Sequence, residues 1–125
     1  MHRRFWATAL AMSACLLASV ATAQSQAEMN QAADQSLRKA DQALNDQYSA
    51  TMDALSPPSR VLLRDAQRAW IGFRDQQCRY EASAVGEGSA YPMIVYMCRE
   101  RLTIERTEEL RGLGHCEEGD LSCPQ

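Results

Sequence analysis

Five cysteines and two histidines are the side chains through which this chain could do covalent or metal chemistry: Cys15, Cys78, Cys98, Cys116 and Cys123, with His2 and His115. A thiolate nucleophile wants a base beside it, and a structural zinc wants four nitrogen or sulfur ligands at workable spacing. Neither pattern is present. No Cys-x2-Cys pair occurs, and beyond residue 23 His115 is the single histidine, which disfavours Ser-His-Asp and Cys-His arrangements. Carboxylates are plentiful, 16 in all, but acidic residues on helices ordinarily form a solvated face. Gly86-Glu87-Gly88 lacks the length and the strand–turn–helix setting of a phosphate loop. These residues predict a protein that is not an enzyme and uses neither metal nor cofactor.

The cysteines can instead cross-link, if the chain reaches an oxidising compartment. Its first 23 residues have the order of a secretory leader: cationic Met1-His2-Arg3-Arg4, an uncharged apolar run from Phe5 to Val20, then small Ala21-Thr22-Ala23. The apolar run of about 16 residues falls short of the ~20 needed to span a bilayer. Cleavage after Ala23 is the favoured reading, placing the protein in the periplasm or outside the cell. The alternative is a lipoprotein anchored through Cys15, the one case that would bring a membrane into play. Against it, the apolar Leu16-Leu17-Ala18 follows Cys15, where a mature lipoprotein usually turns polar.

Cleavage leaves 102 of the 125 residues, one compact domain rather than two. Losing Arg3 and Arg4 takes the formal net charge from −3 to −5. An acidic surface argues against nucleic acid as a partner and favours basic proteins. Four cysteines remain, read as two disulfides with three pairings open.

The elements that must position these groups are helical. Met29, Ala33, Leu37, Ala40, Leu44, Tyr48, Met52 and Leu55 recur at steps of three or four and predict a first helix over 29–55. Ser56-Pro57-Pro58-Ser59 ends it, with Ser56 placed to cap a second helix that runs to about Ala84. That helix carries Leu62, Ala66, Ala69, Trp70 and Phe73 at helical spacing, expected to face the core. Val85 to Pro92 is a glycine-containing break. A third helix follows until Gly112 and Gly114 stop it. Short connections predict an all-α fold, a small antiparallel three-helix hairpin or bundle, over 24–113. In that arrangement Cys78 and Cys98, flanking the glycine loop, would meet, and Cys116–Cys123 would close an acidic tail over 114–125.

Ala66-Gln67-Arg68-Ala69-Trp70-Ile71-Gly72-Phe73-Arg74-Asp75-Gln76-Gln77-Cys78 resembles the signature of the lysozyme-inhibitor LprI-like N-terminal domain family of small exported bacterial proteins. Met29-Asn30, Ala40-Asp41, Leu44-Asn45 and Tyr48 are similar to its first-helix pattern. Gly88-Ser89, Cys98, Leu102-Thr103 and Arg106 are similar to its third. The resemblance covers about residues 29–110. Family members often carry a cysteine just after the Met-Asn pair, where this chain has Gln31-Ala32-Ala33, so the tail pair is expected to replace that bridge.

The motif residues Trp70, Phe73, Arg74, Asp75 and Arg106 are expected to be structural, the aromatics in the core and the arginines paired with carboxylates such as Asp41, Asp75 or Glu105. Glu87, Ser89 and Tyr91 in the glycine loop offer a charge, a small polar group and an aromatic anchor, the candidate contacts for a protein target. The resemblance implies a non-catalytic inhibitor of lysozyme or a related peptidoglycan-degrading enzyme, partnered by a basic hydrolase. An immunity protein against a wall-cutting toxin, or an envelope adaptor without inhibitory activity, are the alternatives.

Overall fold

The computed structural model describes the backbone of residues 4–124 and the side chains of residues 25–124. The expected leader, its cleavage point after Ala23 and the alternative at Cys15 lie outside the described side chains. Three helices make up the fold: α1 (Arg4–Ala54), α2 (Pro57–Ala82) and α3 (Tyr91–Leu113), with one 3-10 turn, Ser83–Val85, tightening the end of α2. The all-α class and both disulfides, Cys78–Cys98 and Cys116–Cys123, agree with the sequence. Helix α1 begins well before Met29, since neither Gly nor Pro interrupts the alanine-rich stretch from Arg4 to Ala54.

Proline sets the turn between α1 and α2. Ser56 is extended (φ −63°, ψ 155°), as a residue before proline must be, and Pro57 and Pro58 take the first turn of α2, where missing N–H groups cost nothing. Arg60 locks the corner by donating from Nε to the Leu55 carbonyl at 2.9 Å. At the other end of α2, Gly86 takes φ +59°, a backbone that side-chain-bearing residues rarely adopt, and turns the chain toward α3.

Helix α2 runs antiparallel to its neighbours in sequence, which leaves α1 and α3 parallel. Asn30 meets the start of α3 by donating from Nδ2 to the Ser89 carbonyl at 3.0 Å, while Thr51 and Leu55 share a hollow with Leu113 at the opposite end. The most extensive packing is between α1 and α3, and α2 docks mainly on α3. The core is narrow: Ala33, Leu37, Ala40 and Leu44 from α1, Cys78 and Ala82 from α2, and Val95, Cys98 and Leu110 from α3. Four polar residues are buried with them, Thr51, Gln67, Thr103 and Thr107. The hydroxyls of Thr51 and Thr107 donate to carbonyls four residues earlier, so each hydroxyl proton keeps a partner despite its burial.

The expected core face of α2 needs correction. Phe73 is 56% exposed and Leu62 71%; Ala66 and Ala69 are also exposed. Gln67, Cys78 and Ala82 are buried instead, with Trp70 half-buried beside them. Helix α2 carries two rows at helical period, and only one can face α3. Cys78 is bonded to Cys98 with Cα atoms 5.5 Å apart, so the row containing Cys78 turns inward and the row containing Phe73 turns out.

Candidate functional site

The inward row of α2 carries Gln67, Trp70 and Arg74, and charges from all three helices converge on it. Arg74 donates from Nη1 to Asp41 Oδ1 of α1 at 2.9 Å and to Thr103 Oγ1 of α3 at 3.1 Å, and from Nε to Asp75 Oδ1 at 3.2 Å. Its side chain is 13% exposed, so one guanidinium joins three helices largely out of water. Arg106 of α3 donates from Nε to Gln67 Oε1 at 3.0 Å and from Nη1 to Glu109 Oε2 at 3.0 Å. Both guanidiniums lie over the indole of Trp70, at 5.3 and 5.9 Å from its centroid. Trp70 therefore packs less as hydrocarbon than as the face on which two cations rest.

Arg99 adds a further charge, its Nε 3.2 Å from Asp75 Oδ1. That nitrogen is buried without an aligned hydrogen bond, so the pair is held by charge rather than direction. Arginine suits this interior better than lysine, because its planar fork spreads one charge over several acceptors. The network is built for positioning: every donor described for Arg74 and Arg106 points at a residue of the protein itself.

Of the anticipated carboxylates, Asp41 and Asp75 do pair with Arg74. Glu105 pairs instead with Arg101, and Arg106 takes Gln67 and Glu109. Gln67, Thr103 and Glu109 were not foreseen. Gln67 lies seven residues before Arg74, two turns away on the same face, which was the available signal.

The glycine-loop candidates do not form one surface. Glu87 and Ser89 are exposed, but Ser89 is tied through its carbonyl to Asn30. Tyr91 is half-buried at the start of α3, lining a small hollow with Arg79, Tyr96 and Arg99. At the opposite pole, the Cys116–Cys123 tail, Cα atoms 5.8 Å apart, closes an exposed loop after Gly114. Asp120 Oδ1 accepts from the Ser122 hydroxyl at 2.6 Å and its amide at 2.9 Å, bonds that hold the Asp120 carboxyl below its usual range. Beside this tail lies an apolar hollow of about 250 Å³, lined by Leu55, Leu63, Leu113 and Pro124 among others. Sequence reasoning did not anticipate it, since it is assembled from the ends of all three helices and the tail.

A short all-helical domain stapled by two disulfides, its helices joined through arginines at signature positions, defines a class of small cross-linked helical proteins. Within that class the sequence matches the family described as lysozyme inhibitor LprI over residues 15–110, and the chain belongs to that family. It is 38% identical over 102 residues to an uncharacterized protein of Rhizobium meliloti (strain 1021), an alignment spanning 71% of this chain and 73% of that one. No solved structure matches it. Among the described residues, no helix is long and apolar enough to cross a membrane.

Proposed function

We propose that this protein is an exported, non-catalytic inhibitor of lysozyme or a related peptidoglycan-degrading enzyme. The observation that carries the reading is family membership across residues 15–110, with the signature residues Trp70, Arg74 and Arg106 joined in one network. Two disulfides fit an oxidising compartment, reached through removal of residues 1–23. Inhibition is steric: a cross-linked bundle loses little conformational freedom on docking, so more of its contact energy appears as affinity. A processed charge of −5, obtained from −3 by loss of Arg3 and Arg4, steers it toward basic hydrolases, faster at low salt. Glu87, Ser89 and half-buried Tyr91 remain the candidate contacts at one pole.

The test is a turbidity assay in which the oxidised protein is added in excess to lysozymes of several classes acting on peptidoglycan. The expected result is slower clearing with at least one basic class and relief of inhibition at high salt. Unchanged clearing across the panel would defeat the reading. Specific protection against a wall-cutting toxin, with no effect on lysozymes, would assign the immunity role instead.

A further inference from the structure

Turning Phe73 outward leaves α2 with an exposed stripe, apolar except for Gln76, whose first turn (Leu62 and Ala66) also lines the hollow beside the tail. Leu62, Ala66, Ala69, Phe73, Gln76 and Tyr80 follow at alternating steps of four and three, all of them exposed, with Leu62, Phe73 and Tyr80 at 71, 56 and 74%. Alternation of four and three is the spacing of a helix seam that packs at a shallow angle against a second helix. We infer that the stripe is the contact through which two copies of this chain associate, α2 against α2, antiparallel about a two-fold axis near residue 72.

Three observations single out a second copy as the occupant. The first is reciprocity of size. In an antiparallel pairing centred near residues 71–72, Phe73 falls opposite the partner copy's small Ala69, Leu62 opposite Tyr80, and Ala66 opposite Gln76. Large meets small at the centre and large meets large at the ends, and the pattern is its own complement, as a two-fold interface requires. The second is charge. Asp65 and Arg79 both lie on the same flank of the stripe and are exposed. In antiparallel helices like flanks face each other, so Asp65 of each copy meets Arg79 of the other, and the axis makes the pair twice.

The third is Gly72. A glycine in the middle of a helix weakens it, and here a Cβ at residue 72 would meet nothing within 4 Å. Packing within one chain therefore does not ask for glycine. On the proposed axis Gly72 lies on the charged flank opposite its own copy, where the absence of a side chain lets the two backbones approach. The area is consistent with a modest dimer. With roughly 150–250 Å² for each whole aromatic side chain, partly exposed Phe73 and Tyr80 together with Leu62 present on the order of 400 Å² per copy. Doubled and extended by the alanines and flanks, this reaches the ~1,000 Å² of a specific interface, at its weak end. Association is independent of whether the protein inhibits a hydrolase.

The experiment is sedimentation equilibrium of the oxidised full protein over a wide concentration range. The expected mass rises from one chain toward two. Asp65→Arg and Arg79→Asp should each weaken association tenfold or more, by facing like charges across the axis. An equimolar mixture of the two variants should recover the dimer, because both flanking pairs then join opposite charges, one in the native sense and one reversed. Gly72→Gln should weaken association while raising the thermal midpoint of the dilute monomer, opposite signs that a purely intrachain role would not produce. A single-chain mass at every concentration overturns the inference, as does a dimer indifferent to these variants, or a mixture that stays monomeric. Loss of hydrolase capture on Phe73→Ala in a protein that never dimerises would assign the stripe to the target and equally overturn it.

Discussion

Cys78 and Cys98 are joined deep between α2 and α3, both almost fully buried, whereas Cys116 and Cys123 are joined on a tail whose neighbours are nearly all exposed. The bonds are chemically alike and differ in what they constrain. The inner one fixes the rotation of α2, and so decides that Gln67 and Arg74 face the interior and Phe73 faces out. The outer one shapes a short segment that touches the bundle only at its edge. A cross-link governs a fold when its loop spans packed elements. On a tail it governs a surface.

The sharpest way to break this comparison is to remove the inner bond. Cys78→Ala with Cys98→Ala should lower stability by about 3 kcal/mol, from the entropy of a loop of about 20 residues returned to the unfolded chain. Urea unfolding under oxidising conditions measures it, and excess reductant should erase the difference from wild type. Next comes the network that the inner bond positions: Arg74→Ala should cost about 2 kcal/mol, because Asp41 and Thr103 lose a charged donor and Trp70 one of its two cations. A smaller loss than for a surface arginine such as Arg38 would contradict a structural role for the network.

Cys116→Ser with Cys123→Ser should cost less than the inner pair, because its shorter loop returns at most about 2.5 kcal/mol on the same model and lies mostly outside the bundle, while amide exchange quickens from Cys116 to Cys123. A global loss comparable to that of the inner pair would erase the distinction. The smallest effect is a titration. The Asp120 carboxyl is held below its ordinary value of 3.8 by Ser122, so its turn is fully stabilised above that pH and loosens only as pH falls through the lower folded value. The Ser122 amide shift followed by NMR should report it; a midpoint at or above 3.8 would mean those hydrogen bonds are not populated.

Much of the fold could be read in advance. The three- and four-residue recurrence of Ala33, Leu37, Ala40 and Leu44 is the buried row of α1, and Pro57 and Gly86 mark corners for the reasons sequence chemistry supplies. The expectation that Cys78 meets Cys98 came from helix order, and Cys116–Cys123 was the pair it left over. Rotation of α2 did not follow, because Leu62-Ala66-Ala69-Phe73 is the more apolar of its two rows and hydrophobic periodicity alone chooses it. The row that won is the more polar one, with Gln67 and Arg74 held by partners on other helices that no local pattern reveals. The same holds for Arg106, whose acceptors are 39 residues upstream at Gln67 and three downstream at Glu109. Of the loop residues, the tie from Asn30 to Ser89 depends on a parallel α1 and α3, a topological fact rather than a compositional one.

The interior just described is made of small things: three alanines, two half-cystines, one valine and three leucines, interleaved with threonines and a glutamine. Unfolding such a protein hydrates little hydrocarbon and much amide and hydroxyl, and those two contributions to heat capacity have opposite signs. Its heat-capacity increment should therefore lie below the usual ~12–15 cal/mol/K per residue. A small increment flattens the dependence of stability on temperature, so this bundle should weaken little on chilling and decline gradually on warming. Scanning calorimetry at several pH values would give the slope of enthalpy against melting temperature that measures it.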